Sequence, residues 1–427
     1  MNKTIAISLI PNCFVDDIIL AVKTLINPFS WKKGKAVSEI ENYFKKFFSV
    51  EHAFSFNSGR SALTIGLKAL SLPEGSEVLM QAFSCVVVAN SIRFAGLKPV
   101  FVDIAQNSFC MDYKDLTQKI TSKSKVIIVQ NLFGIPDKIE SILEIAKKYK
   151  LILVEDCAQS LGAEYKSRLV GQYGKFAFFS FGRDKVISST FGGMLVTEDP
   201  TLAEKIKEIY EKIPYPGYFW IIRQLMHPLI FSLVLPTYFL FRIGKFSFGK
   251  GIIFALAKTR LLDFPVKTDE KKGLPIDDYP KKMPNALAIL ALNQFLKLSK
   301  FNKRRKEIAQ YYLKKLSNIK NVLLPNFDFD SQPIFLRLPF FTKNRDQLVS
   351  FAKLNQILLG NWYDAVLAPR GSNLHICGYK MGSCPRAERA ANEVVNLPTY
   401  PRMSIDDADK VIDTLRQYYG HQSQGSN

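Results

Sequence analysis

Apolar residues in this chain fall into short runs without a helical period, separated by stretches in which they recur about every 3.6 residues. The run at 176–181, FAFFSF, is almost wholly apolar, as a strand buried on both faces should be. A second strand is predicted at 193–197. Four more apolar runs precede them, at 78–83, 99–104, 126–131 and 151–154. Helical patterns lie between, for example at 89–95 and 137–149. Earlier, 37–48 places Val37, Ile40, Tyr43, Phe44 and Phe47 on one helical face. A short strand at 53–56 then feeds the turn Asn57-Ser58-Gly59-Arg60-Ser61 and a helix running to about Leu70. The charged amphipathic stretch 201–212 closes this half. Such alternation predicts an α/β fold, with a mostly parallel sheet covered by helices on both faces.

Beyond Lys212 the texture changes. Residues 219–241 are strongly apolar. No acidic residue occurs between Phe219 and Arg260, whereas Arg223, Arg242, Lys245, Lys250, Lys258 and Arg260 are basic. The uninterrupted part, 225–241, sits at the short limit of a membrane span of roughly 17–25 residues and contains Pro228 and Pro236. A single crossing would also divide one globular chain between two sides of a bilayer. Two readings stand: a helical hairpin lying on a membrane surface with its basic residues at the headgroups, or an internal or subunit-interface helical pair. Globular texture returns with helices at 285–298, 303–316, 387–394 and 406–418 and strand content at 334–338 and 356–359. The expected partition is a large domain over 1–213, an apolar basic insertion over 214–275, a smaller α+β domain over 276–420 and a disordered tail over 421–427.

Composition narrows the partners. The chain has 427 residues, 47% hydrophobic, enough for a large core and a smaller one. A net charge of +20 points to anions: phosphorylated substrates, a membrane surface or nucleic acid. No zinc-finger spacing, RNP-like motif or basic heptad region supports nucleic acid. Six cysteines without a CxxC pair suit reduced thiols in a cytoplasmic protein. His375, Cys377 and Cys384 fit no common metal-site spacing, and no metal is expected. The apolar run 5–10 is too short for a secretory signal.

One lysine stands out. Lys185 lies in a turn rich in Gly, Ser and Thr just after the 176–181 strand, and Asp156 lies just past 151–154. A carboxylate and a lysine so placed can meet in the crevice at the carboxyl ends of a parallel sheet. That pairing suits pyridoxal 5'-phosphate, with the lysine forming a Schiff base and the Asp keeping the pyridine nitrogen protonated. A surface lysine and a helix-capping Asp would leave the same trace. The turn 57–61 opens a helix whose first amides can bind phosphate.

The ordered set NSGRSAL (57–63), PEGSEVLM (73–80), KPVFVDI (98–104), VEDCAQSLGAEYKSRLVGQYG (154–174) and SFGRDKVISSTFGGMLVTED (180–199) resembles the DegT/DnrJ/EryC1/StrS family of sugar aminotransferases. NALAILALNQFLKL (285–298), RRKEIAQYY (304–312) and CPRAERAANEVVNLPTYPRMS (384–404) extend the resemblance to nearly all the chain except about 214–275. The resemblance implies the PLP-dependent transferase fold type I and a homodimer with active sites at the interface. It makes Lys185 the Schiff-base lysine and Asp156 the partner of the ring nitrogen. It sets Gln159 by the phenolic oxygen, and Ser180 with Gly59, Arg60 and Ser61 at the phosphate. Sugar dehydratases of the family have a histidine at the Lys185 position, so the implied reaction is transamination. Glutamate would be the donor and a keto-sugar, nucleotide- or lipid-linked, the acceptor, in polysaccharide or cell-surface glycan synthesis. The chain departs from the pattern at three places. Cys85 stands where an aromatic usually stacks on the cofactor, with Phe83 a substitute if the register shifts. Arg60 replaces a usual Thr or Ser and would pair with the phosphate. Tyr279 is followed by Pro280 where the partner loop usually has Tyr-Asn. These departures keep open an alternative, a catalytically altered protein of the same fold with a binding or regulatory role.

Overall fold

The computed structural model describes residues 4–241, 247–259, 261–317 and 319–424. Its centre is a seven-stranded sheet. In spatial order the strands are His52–Phe56, Gly193–Thr197, Phe176–Ser180, Ile152–Asp156, Ser124–Gln130, Glu77–Gln81 and Lys98–Val102. The last five run parallel, and Gly193–Thr197 is antiparallel to both of its neighbours. Each strand divides its side chains between two cores, because successive residues point to opposite faces. Leu79, Ile127, Leu153, Ala177 and Phe179 face one core; Met80, Ile128, Val154, Phe176 and Phe178 face the other. The near-continuous apolar runs therefore follow from burial on both sides.

The C-terminal part adds an antiparallel pair, Arg337–Phe341 with Val394–Pro398, and the helices Leu298–Leu316, Arg345–Leu354, Pro385–Glu393 and Ile405–Gln424. Its apolar residues join one face of the large sheet in a single continuous core. The N-terminal run contributes a two-residue strand, Ile5–Ala6, paired in parallel with Ile357–Leu358. The last helix continues to Gln424, four residues into the tail expected to be disordered; 425–427 lie outside the described residues.

The apolar stretch forms two helices, Tyr218–Val234 and Phe248–Lys258. The first is internal along one side: Trp220, Ile221, Leu225, His227 and Phe231 are buried. It packs against helices Val15–Leu25 and Asn285–Phe295. The second buries only Gly249. The first helix is thus internal, and the second is largely exposed. Among the described residues no helix is long and apolar enough to cross a membrane. Arg242, Lys245 and Arg260 lie outside the described residues.

Candidate active site

The register of the sheet brings the predicted residues to one edge. Asp156 ends its strand beside Gln130 and Phe178, and Gly193 pairs with both Phe56 and Ser180. The turn after Phe56, the Lys185 loop and Asp156 therefore share the crevice at the carboxyl ends of the parallel strands. A cavity of about 460 Å³ opens there. Gly59, Arg60, Cys85, Asp156, Gln159, Ser180 and Lys185 line it.

Adjacent carboxylates on one strand have opposite surroundings. Glu155 points away from the cavity and accepts three backbone amides, from Gly171 (2.7 Å), Tyr173 (2.6 Å) and Gly174 (2.8 Å). Asp156 faces the cavity. Its oxygens accept one donor each, the Ala158 amide (3.0 Å) and the Gln130 side chain (2.9 Å), leaving lone pairs unused. Burial pushes its carboxyl above the usual range, against the Ala158 amide, Gln130 and the charge of Lys185. A buried carboxylate with spare lone pairs, aimed into a cavity, suits a cationic ring N–H.

The phosphate end is built by the helix Gly59–Ala69. Its first amides have no intrahelical acceptor. Ser58 caps it, accepting from the Ser61 amide (3.1 Å). Close approach of this turn to the sheet requires a missing side chain: a Cβ on Gly193 would lie 2.5 Å from the Gly59 nitrogen. Ser180 also lines the cavity, its hydroxyl near the Gly182 amide (3.4 Å).

The Lys185 loop is clamped from behind. Arg305, fully buried, donates to the Val186 carbonyl (2.7 Å) and to Asn12 (2.9 Å), and Asn12 donates to the Lys185 and Val186 carbonyls. Burial lowers the Arg305 guanidinium to about 9. Asp184, next to Lys185, pairs with Arg337 from the C-terminal strand pair. The Tyr218–Val234 helix supports the same loop: Thr190 donates to the Gln224 carbonyl (3.1 Å), and Trp220 packs on Phe191 with ring centroids 5.7 Å apart. Replacing Arg305 by Met should lower turnover about 10- to 100-fold by letting the lysine's backbone drift. Thermal denaturation run beside steady-state kinetics checks it, and an unchanged turnover in a folded variant would refute the clamp.

Three expectations change. Ser61 does not reach the cavity: its hydroxyl bonds Asn57 (2.8 Å) and Ser58 (2.9 Å) behind the wall. Arg60 does not hold its guanidinium free for a phosphate. It pairs with the buried Glu270, donates to the Pro265 carbonyl and lies 4.5 Å over the Tyr279 ring. A carboxylate buried at Glu270 demands a cation, and Arg60 is that cation. Phe83 does not substitute for Cys85; its ring is buried with Phe109, Phe133 and Tyr363, and Cys85 forms the wall. Burial raises the Cys85 thiol, so this wall is neutral. Tyr279, in the loop that the resemblance sets against a partner, lies partly buried under Arg60 in its own chain. Gln159 has both amide ends engaged, by the Phe133 amide and the Tyr363 hydroxyl (each 2.8 Å).

Sequence reasoning missed several lining residues: Ser58, Arg183, Thr190, Arg337 and Tyr363. Ser58 had a local signal, as an N-cap before a helix. Arg337 and Tyr363 had none, since they come from remote segments.

The sequence model of the DegT/DnrJ/EryC1/StrS aminotransferase family matches residues 12–212 and 268–416. The chain belongs to this family. The match skips 213–267, the stretch with the two apolar helices. Among its relatives is a GDP-perosamine synthase of Escherichia coli O157:H7, 26% identical over 390 residues and 91% of each chain. A pleiotropic regulatory protein of Geobacillus stearothermophilus is 27% identical over 393 residues, 91% of this chain and 90% of that one. Helicobacter pylori PseC, an aminotransferase of pseudaminic acid biosynthesis, superposes with a TM-score of 0.75 at 19% identity, covering 98% of this chain and all of the other. The fold is that of these aminotransferases, fold type I, and the family member is an aminotransferase by its family.

Proposed function

We propose that this family member uses pyridoxal 5'-phosphate to move an amino group from glutamate to a nucleotide-linked keto-sugar, in cytoplasmic synthesis of a polysaccharide or other surface glycan. The observation that carries the reading is the meeting of Lys185 and Asp156 in one cavity, at the carboxyl ends of the strands, in a chain of this family. The cofactor fits the residues present: a buried carboxylate with lone pairs to spare and a glycine-lined helix N-terminus at the other end. Bound there, it supplies an electron sink that lets the donor's Cα proton leave and return at a different carbon.

The chain's own residues do the rest. Lys185 Nζ would hold the cofactor's carbonyl carbon and would move the donor's Cα proton. Asp156 holds the ring nitrogen's proton. The Gly59 and Arg60 amides, with the Ser180 hydroxyl, would bind the phosphate. Cys85 bounds the ring as a neutral, polarizable wall. The resemblance further suggests a homodimer. A cofactor-loaded preparation should be yellow, elute at twice the 48.5 kDa chain mass, and carry the cofactor mass on Lys185 after borohydride reduction. Adding glutamate should discharge the colour. A colourless protein unmodified at Lys185 would refute the reading and favour a binding or regulatory role, such as the name of the Geobacillus relative describes.

A further inference from the structure

Three helices, Val15–Leu25, Tyr218–Val234 and Phe248–Lys258, meet over a small apolar cluster of their own. Ile10, Cys13, Phe231 and Leu262 are buried in it, and Ile18, Ile230, Ile253 and Leu256 pack against it. Outside that cluster these helices leave large apolar side chains in solvent. On the first, Val15, Ile19, Val22 and Ile26 recur at helical spacing, with Val15 72% and Ile26 78% exposed. Leu233 is 75% and Phe254 71% exposed on the other two. Single exposed apolar residues need no explanation, but a group of this size on neighbouring helices marks a contact surface.

Charge chooses the occupant. The sequence from Phe219 to Arg260 has no acidic residue. Lys23 and Lys258 are exposed on the same helices, and Lys32 sits 4.3 Å over the Tyr218 ring. Arg223 is paired with Asp263. The two carboxylates of the first helix, Asp16 and Asp17, are both engaged by Lys297. A second copy of this face would bring like charges together. An anionic lipid surface accepts the apolar side chains and neutralises the bases at once.

We propose that this three-helix face docks on anionic membrane, apolar side chains in the headgroup boundary and lysines at the phosphates. The Tyr218–Val234 helix touches the Lys185 loop with its opposite side, so docking holds the active site near the bilayer.

The test uses the full-length, cofactor-loaded protein with sucrose-loaded phosphatidylcholine vesicles, with or without phosphatidylglycerol. The expected result is sedimentation with the anionic vesicles at least tenfold above the neutral ones, weakening as salt rises. The pairs Leu233→Glu with Phe254→Glu, and Val22→Glu with Ile26→Glu, should each lower binding at least tenfold with unchanged circular dichroism. They lie on different helices, so one remains informative if the other misfolds. Equal binding to both vesicle types, or wild-type binding by the folded variants, would overturn the proposal. So would a fall in gel-filtration mass in the variants, which would make this face an interface between copies.

Discussion

Replacing Lys185 by Ala should lower turnover about 10,000-fold, the upper end of what a positioned acid–base group contributes. The lysine has two tasks in the proposed reaction, anchoring the cofactor and moving a proton, and alanine does neither. Arg183 and Lys271 also line the cavity. Arg183 is held over the Phe191 ring, its centre 5.4 Å from the centroid, and two of its nitrogens are buried without a partner. Neither cation sits on the backbone clamped by Asn12 and Arg305. The measurement is single-turnover loss of colour on mixing the cofactor-loaded variant with glutamate, alongside borohydride mapping. A variant still labelled elsewhere and reacting at the wild-type rate would move the anchoring role to another amine.

Asp156→Asn should separate activity from stability. Turnover should fall about 1,000-fold, because a neutral amide does not hold a proton on the ring nitrogen. The cofactor-free protein should become more stable at neutral pH. Asp156 has its folded-state carboxyl raised by burial, so the folded chain binds more protons there than the unfolded chain. Such a group lowers stability as pH rises past its unfolded value, and the neutral isostere removes that loss. The local hydrogen bonds tolerate the exchange. Gln130 Oε1 has no partner, so its amide can turn over and accept from the new side chain. Ser84, now a partner of Gln130 Nε2 at 2.9 Å, can then donate instead. Thermal denaturation of the cofactor-free pair across pH 5–8 and turnover of the loaded pair check both halves. A destabilised variant with near-normal turnover would remove Asp156 from the chemistry.

Much of this protein was legible in the amino-acid order. The buried strands were readable because a sheet covered on both faces requires apolar residues at every position. Lys185 and Asp156 were readable because each follows such a strand directly, so the local pattern fixes the end of the sheet on which it emerges. The helix Val15–Leu25 was missed because its face is inverted, with Asp17 and Thr24 buried and Val15, Ile19 and Val22 exposed, so its apolar side does not mark the core. The strand Val394–Pro398 was missed because the helical pattern before it runs into it without a break.

Other features were decided only by tertiary structure. Arg60 meets Glu270 across 210 residues, and that carboxylate, rather than a phosphate, takes the guanidinium. Cys85 and Phe83 are two residues apart on one run, and packing with Phe109, Phe133 and Tyr363 decides which of them reaches the cavity. The clamp from Arg305 on Val186 spans 119 residues and left no local trace. The apolar insertion showed its hydrophobicity in the sequence, but only packing divided it into a helix that supports the Lys185 loop and a helix that faces solvent. Local order fixes which atoms a segment offers; which partner takes them depends on segments that meet only when the chain is folded.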